Sequence, residues 1–507
     1  MRLRDTFRFS TNSCLLLFGL ALIAPAGYGQ GLAMTDQDIA DKIDDELLLD
    51  PGVNSMLLDI QVDQGVVTLT GRAASLLAKE RAARIATTVK GVRSVINQVE
   101  VRPSQQRSDK ELSRDIEAAL LADPAADAYE IAVSVQDGVA SLTGTVQSYR
   151  ERDLSLTVAK GVRGVTGVVD QLVVRYQGER PDIEIQQEID AALHNSVFVD
   201  DNMIEVTVQD GEVSLSGTVG SAAEKQMVNT ISWVAGVRSV DSGSLTVARW
   251  ARDDQLRGNK YAGSDQRSIE QAIRTALEHD PRVRADDIEV AVAGGHVTLR
   301  GKVNSLAARQ SAEQDARYTV GVFDVTNRLK VRPEEDLSDA DIRRNVRQAL
   351  ERDVYLEPFE IATLVVDGVV HLYGTVDTRF ERRRAHNLVG RVKGVVGLRD
   401  YLTTSREGNY LYNAYIDTGY IDEQDVAGYE QRSPSMTDAQ LKTAIESEMW
   451  WSPFVDSDDV AVTVENGVAR LSGTVESWSE RQSATENAYE GGATLVDNDL
   501  RISSLDD

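Results

Sequence analysis

One basic residue recurs at a fixed place along this chain, and a base of this kind can bind phosphate or carboxylate groups. It stands eight residues after a recurring glycine, at Lys79, Arg152, Lys225, Arg309, Arg382 and Arg481. A cation near the start of a helix opposes the helix dipole, so its recurrence needs a reason. One hypothesis is an anion ligand on each repeat. The other is a side chain whose apolar stem lies over a sheet edge, with its head in water or paired locally.

Bases are densest in residues 338–405. Five of them, in one predicted helix and the turn after it, are our candidate contacts for anions or lipid headgroups: Arg382, Arg383, Arg384, Arg391 and Lys393. The segment has eleven bases and ten acids, a net charge of +1, whereas the whole chain is at −27. Each base near an anionic surface could contribute about 1 kcal/mol. A solvated helix face balanced by acidic neighbours is the alternative.

No residue pattern indicates catalysis. The five histidines fall at unrelated places in the repeats, and none pairs with another at metal-ligand spacing. No serine sits in a nucleophile elbow followed by Asp and His. The glycine-rich phrases lack the Lys-Ser/Thr pair of a phosphate loop. We therefore expect no catalytic residue, metal site, cofactor or small-molecule substrate.

One pattern is repeated six times along the chain. Its phrase is typified by "DGVASLTGTV", Asp137 to Val146, and the second glycine of the phrase recurs at Gly71, Gly144, Gly217, Gly301, Gly374 and Gly473. The period predicts six units, which we number one to six: 35–102, 108–175, 181–248, 264–332, 338–405 and 436–503. The longer connections are a linker at 249–263 and a tyrosine-rich linker at 406–435.

Each unit reads as helix, strand, strand, helix, strand. In unit two, Ser108 is a candidate N-cap, and Leu112, Ile116 and Leu120 lie on one helix face. Thr35, Ser264, Ser338 and Thr437 begin four other units in the same way, whereas Pro181 offers no capping oxygen.

The two strands of each unit are joined by residue pairs such as Asp137-Gly138, which favour a type I′ hairpin turn; Gln64-Gly65 is the poor fit. A hydroxyl four residues past the second glycine, followed by Glu in four units, predicts a capping box. The last strand can join the sheet in parallel. The prediction is an α+β fold of tandem small domains, each a three-stranded mixed sheet covered by two helices, with the six second glycines serving backbone shape.

The first residues resemble a secretory signal, which we place at 1–30. Arg2, Arg4 and Arg8 precede the apolar run "CLLLFGLALI", and Ala24 and Ala26 have cleavage-site spacing. The only cysteine, Cys14, lies inside this segment. The net charge disfavours nucleic acid as a partner, since that would need a basic face. These features predict an exported, periplasmic protein, with association to the membrane left open.

The repeat resembles the BON domain, named for bacterial osmotic-stress and nodulation proteins. The resemblance is carried by the core "GxVxLxGxV" and a later "GV", as in Gly138 to Val146 with Gly164-Val165. It implies an α+β fold and a non-enzymatic role in the envelope, with phospholipid surfaces or envelope proteins as partners. Two functions stay open: multivalent binding of such partners under envelope stress, or a structural spacer or chaperone-like scaffold that binds no lipid.

Overall fold

A computed structural model describes residues 34–123, 125, 130–176, 178, 180–252, 260, 265–357, 359–405, 416 and 436–502. The predicted signal segment 1–30 lies outside these residues, as do most of the linker 249–263 and all of 406–435 except Ile416. Each unit can be compared with the others because it is described almost throughout.

Two α-helices belong to each unit, and the described residues contain twelve in all. The first helices are α1 Asp36–Leu49, α3 Asp109–Ala122, α5 Asp182–His194, α7 Gln266–His279, α9 Asp339–Arg352 and α11 Asp438–Trp451. The second helices are α2 Leu76–Thr87, α4 Tyr149–Lys160, α6 Ala222–Ile231, α8 Leu306–Arg317, α10 Arg379–Gly390 and α12 Trp478–Glu490.

The first helices begin largely where their sequences predict. Ser108 accepts from the amide of Glu111 in a capping box, and Pro181 precedes α5 without a side-chain cap. In unit four the cap is Asp265, one residue after the predicted Ser264, which lies outside the described residues. Its carboxylate takes up two of the amides that a helix start leaves without intrahelical partners.

The second helices are capped by the predicted hydroxyls. These are Ser75, Ser148, Ser221, Ser305, Thr378 and Ser477. The predicted reciprocal capping box is formed in unit five, between Thr378 and Glu381. In units two, three and six the glutamate instead accepts from the residue before the cap, as Glu151 does from the amide of Gln147 at 2.8 Å.

Each sheet has the predicted mixed topology, with the second strand in the centre. The first strands are β1 Leu58–Asp63, β5 Ile131–Gln136, β8 Ile204–Gln209, β11 Ile288–Ala293, β14 Ala362–Val366 and β17 Val460–Glu465. The second strands, antiparallel to the first, are β2 Val66–Ala73, β6 Val139–Val146, β9 Glu212–Val219, β12 His296–Val303, β15 Val369–Val376 and β18 Val468–Val475. The last strands, parallel to the second, are β7 Gly167–Val174, β10 Ser239–Val247, β13 Asp324–Val331, β16 Gly397–Thr404 and β19 Leu495–Ile502, with β3 Ser94–Asn97 and β4 Glu100–Val101 sharing this place in unit one.

The core of each unit lies between the helices and one face of its sheet. In unit two the predicted helix positions Leu112, Ile116 and Leu120 are buried against Ala140 and Leu142 of β6. Alternate strand residues point the other way, so each sheet has a second face that the unit's own helices do not cover. The α+β prediction is confirmed, and we call this second face the open face.

The hairpin turn adopts the predicted conformation even in unit one, where Gln64 is an unfavourable residue for it. Gln64 has φ of +49°, close to +52° at Asp137. The first residue of a helix stabilises this conformation: both carboxylate oxygens of Asp109 accept from the turn, from Asp137 at 3.0 Å and Gly138 at 3.0 Å. The same contact is made by Asp36, Asp182, Asp339 and Asp438. In unit four, where both turn residues are glycine, Gln266 stands at this position.

The six units pack against one another in three nested pairs. Units two and five share a short antiparallel bridge between Val162 and Asp353, and units three and four share one between Ser196 and Thr319. Units one and six are joined by Lys42, whose ammonium lies 2.5 Å from Glu448. The order of pairing, one with six, two with five and three with four, places the first unit next to the last.

Candidate functional site

The recurring base serves its own unit. In unit two the Arg152 guanidinium lies 2.5 Å from the carboxylate of Asp170 in the last strand. Four others also reach the last strand of their unit, as the pairs Lys225–Leu245, Arg309–Asn327, Arg382–Asp400 and Arg481–Asn498. In unit one the backbone carbonyl of Lys79 accepts from the side chain of Asn97. The structure therefore supports the local-pairing hypothesis, in which this base ties the second helix to the sheet edge.

Two other recurring polar positions also serve the backbone. An Asn or Asp in the last strand accepts the amide two residues further on in every unit: Asn97, Asp170, Asp241, Asn327, Asp400 and Asn498. A residue one or two positions past the first helix does the same at Asp50, Asp123, Ser196, Asp280, Asp353 and Ser452. These shared side chains therefore have a structural role in every unit.

The predicted anion contacts of unit five do not form one exposed face. Arg382 pairs with Asp400, and Arg384 lies 2.7 Å from Asp353, a carboxylate that is almost fully buried. Arg383 is only 6% exposed. Both Arg383 and Arg384 line a cavity between units. A direct contact of these arginines with a flat lipid surface would first require them to be uncovered.

The remaining two candidates lie at the junction with unit two. The amide of Lys393 donates to the carbonyl of Ala122 over 3.2 Å. Burial lowers the pKa of the Arg391 guanidinium to about 9, with repulsion from Arg282 adding to the effect. Arg391 also feels the attraction of Asp123 in unit two. The sequence around Arg391 and Lys393 carries no signal for that junction, because the partner residues come from a distant part of the chain.

A different surface of unit five is exposed and unusual. Its open face carries Tyr373 on β15 and Tyr401 on β16, whose rings stack in parallel with centroids 4.9 Å apart. They are 41% and 53% exposed, and Leu364 and Val366 of β14 are similarly exposed. The ring of His371 is also parallel to that of Tyr401, with centroids 6.0 Å apart. An exposed apolar and aromatic patch of this kind indicates an interaction surface.

The charge on this open face is also distinctive. Its strand positions include the bases His371 and Arg399 but no acid. The open face of unit two also lacks acids and exposes Val169 and Val173. The other four open faces include acids, among them Asp59, Glu205, Glu289 and Glu465. Sequence reasoning missed Tyr373 and Tyr401, although the absence of Asp and Glu from the outward positions of unit five was a readable signal.

In the described part of the chain, neither a metal-binding cluster nor a membrane-spanning helix is found. Within the described ranges, no group of three or more His, Cys, Asp or Glu side chains is placed to hold a metal ion. His194 and His279 instead lie next to single carboxylates, Asp201 at 3.0 Å and Glu188 at 2.7 Å. None of the helices in the described part of the chain is both long and apolar enough to cross a bilayer.

The repeated unit, with its capped helices, tight hairpin and strand glycine, defines a tandem array of small α+β domains. The family model of the BON domain matches residues 35–103, 108–176, 181–249, 265–333, 338–406 and 437–504. The chain therefore belongs to the BON domain family.

Relatives of known name share parts of this array. Osmotically-inducible protein Y of Escherichia coli (strain K12) is 34% identical over 148 residues, 28% of this chain and 74% of that protein. Outer membrane lipoprotein DolP of Haemophilus influenzae is 25% identical over 164 residues, 31% of this chain and 83% of that protein. Among solved structures, the C-terminal domain of CdsD, a structural protein of the type III secretion system of Chlamydia trachomatis, is 14% identical. It covers 42% of this chain and 100% of its own, with a TM-score of 0.12, which supports no argument about function.

Proposed function

We propose that this BON-domain protein is a non-enzymatic binding protein of the bacterial envelope that attaches to phospholipid surfaces through the open faces of units five and two. The observation that carries the proposal is the stacked pair Tyr373 and Tyr401, exposed on an acid-free sheet face of a chain with net charge −27. Tyrosine suits the boundary between lipid and water, since its ring is apolar and its hydroxyl is polar.

Charge explains why these two faces are favoured. A chain of this net charge is repelled as a whole from an anionic membrane. The open face of unit five brings His371 and Arg399 to the surface without any acid, so the repulsion is smallest there. Because apolar and aromatic contacts supply the attraction, binding should survive added salt.

Two binding faces on one body give avidity. Attachment of one face makes attachment of the other an intramolecular event, provided that both can reach the surface. This arrangement develops the multivalent binding expected from the repeats. An envelope location and a role in osmotic or envelope stress are supported by the named relatives, one an outer membrane lipoprotein and the other osmotically inducible. The predicted signal segment at 1–30 supports export to the periplasm.

Vesicle flotation tests the proposal. Vesicles of phosphatidylcholine, alone or mixed in equal parts with phosphatidylglycerol, are floated with the full chain at low and high salt. We expect the protein to float in both salts. Tyr373→Ser with Tyr401→Ser should abolish most of the binding, and Val169→Ser with Val173→Ser should weaken it.

Leu495→Ser is the matched control, because Leu495 is 55% exposed on unit six, whose open face contains acids. It should float like the parent. If the parent protein does not float with either vesicle, the lipid proposal is wrong and the scaffold hypothesis is preferred. If the tyrosine variant floats like the parent but no longer retains proteins from envelope extracts, the partner of this face is an envelope protein.

A further inference from the structure

A cavity of about 650 Å³ lies where units one, two, three and five meet. Its walls come mainly from the second helices α2, α4, α6 and α10, and β3 contributes to its rim. Arg93, Gln226 and Thr230 on the rim are exposed, so the cavity opens to solvent. Its volume is typical of ligand sites in proteins. We call it the central cavity.

The central cavity is strongly basic. Among the described residues that line it, seven are Lys or Arg and two, Glu80 and Asp153, are acids. Three further carboxylates act on lining bases without lining the cavity themselves: Asp50 bonds Arg81 at 2.6 Å, Asp353 bonds Arg384, and Asp241 attracts Lys225. Seven bases and five carboxylates leave an excess of two positive charges. This excess stands out in a chain whose net charge is −27.

These bases come from different units and have different hydrogen-bond and ion-pair partners. Lys160 of unit two lies 2.7 Å from Glu80 of unit one. Lys225 of unit three donates to the backbone carbonyl of Leu245 at 2.6 Å, and burial lowers its pKa. Concentrating positive charge in a partly buried space is unfavourable unless an anion compensates it. The arrangement is therefore that of a site prepared for an anion.

The remaining lining identifies the kind of anion. Asn229, Asn387 and Thr157 bring amides and a hydroxyl to the wall, and Phe380 covers a small apolar area. Guanidinium groups match the geometry of phosphate oxygens, and amides bind hydroxyl groups. A bare phosphate ion would leave most of the volume empty.

We infer that the central cavity binds a phosphate ester that carries hydroxyl groups, as a ligand and not as a substrate. The same chemistry belongs to a soluble polyol or sugar phosphate and to the headgroup of a glycerophospholipid. This inference goes beyond the lipid-surface function, because the cavity lies between units and not on an open face. Its binding depends on charge and should weaken as salt is added, unlike binding through the tyrosine face.

The test uses the full chain in two arms. Calorimetry measures the binding of sn-glycerol 3-phosphate and of inorganic phosphate. Flotation uses phosphatidylcholine vesicles with and without an equal part of phosphatidylglycerol. Arg84→Gln with Lys225→Gln should weaken binding about 10-fold or more in at least one arm, because each change removes a charged hydrogen-bond donor. Arg93→Gln, at the exposed rim, should weaken it less and is the variant least expected to disturb folding.

Arg102→Gln with Lys110→Gln is the matched control, since it removes two exposed positive charges outside the cavity. Thermal melting checks that every variant is folded. Loss in the calorimetric arm identifies a soluble ester, and loss of only the phosphatidylglycerol-dependent flotation identifies a lipid headgroup. No binding by the parent in either arm, or equal binding by parent and cavity variants, would overturn the inference. Neither result would affect the tyrosine face, whose variants are scored by salt-resistant flotation.

Discussion

The backbone amide of Lys90 donates to the carbonyl oxygen of Trp451 over 3.1 Å and so joins the first unit to the last. The ammonium of Lys90 also donates to the carbonyl of Trp450, at 2.6 Å. Lys90 directly precedes the glycine that follows the second helix, and Trp451 ends a first helix. Residues at these two positions, or directly after the first helix, form the same backbone hydrogen bond between other units: Arg163 with Arg352, Lys393 with Ala122, and Val320 with Asn195. One junction is therefore reused three times, and between units two and five it is reciprocal.

The nested pairing can be tested by crosslinking. Ser196 and Thr319 are opposite each other in an antiparallel bridge. Their Cα atoms are thus within the range that a disulfide can span. In a Cys14→Ser background, Ser196→Cys with Thr319→Cys should oxidise to one intramolecular disulfide, seen as a mobility shift on non-reducing gels that reductant reverses.

Ser452→Cys with Thr319→Cys is the matched control. Ser452 has the position in unit six that Ser196 has in unit three. This pair should stay reduced, because unit four pairs with unit three. Equal crosslinking of both pairs would contradict the nested arrangement.

The carboxylate that clamps the hairpin turn should contribute to stability. Asp182 accepts from the amides of Asp210 at 2.7 Å and Gly211 at 2.9 Å. Asp182→Ala leaves both amides without this acceptor, which should cost about 1–3 kcal/mol. Urea unfolding of the full chain, followed by hydrogen exchange in β8 and β9, measures the loss. Glu184→Ala, which removes an acid from the same first turn, should change stability much less.

The second glycine should be required for backbone reasons. Gly144 has φ of +138°, and a Cβ placed on it would lie 1.9 Å from the carbonyl oxygen of Glu130. Gly144→Ala should therefore destabilise unit two by about 1–3 kcal/mol, measured by thermal melting. Gly397→Ala adds the same methyl group where the nearest atom, on Val369, is 3.6 Å away, and it should melt like the parent. Normal melting of the Gly144 variant together with lost binding would give this glycine a functional role instead.

The junction of units one and six should depend on pH. Burial, and then the charge of Glu46, raise the pKa of the Glu490 carboxyl to about 8. Glu448 adds further repulsion, Lys42 opposes it, and Asn487 donates to the carboxylate at 2.8 Å. The folded state then holds a proton that the unfolded state releases above its ordinary pKa of 4.5. Stability should fall as pH rises from about 4.5 to about 8, and should change little with this group beyond that.

The measurement is the melting temperature across this pH range. Glu490→Gln mimics the protonated carboxyl, so it should flatten the decline and raise the melting temperature near pH 8. Glu465→Gln, an exposed acid of unit six, should leave the decline unchanged. If the melting temperature of the Glu490 variant falls with pH as steeply as that of the parent, the effect belongs to other groups.

Much of each unit could be predicted from sequence because its determinants are local. A capping hydroxyl such as Ser148 bonds an amide three residues away, and the two-residue turn at Asp137 requires only its own positive φ. Six copies of such signals reinforce one another. The parallel last strand was also predictable, since a helix separates it from its partner strand.

The sequence by itself thus determined the six units, their α+β topology and the helix-capping role of their shared hydroxyls. Only the tertiary structure decided how the units pair, where Arg383 and Arg384 lie, and which sheet faces remain open. The junctions are made largely by backbone amides and carbonyls, such as those of Lys90 and Trp451, and every residue type except proline carries both groups. The residue types at the junctions therefore do not specify which units pair. The pairs are set when the units pack and bury the surfaces that fit together.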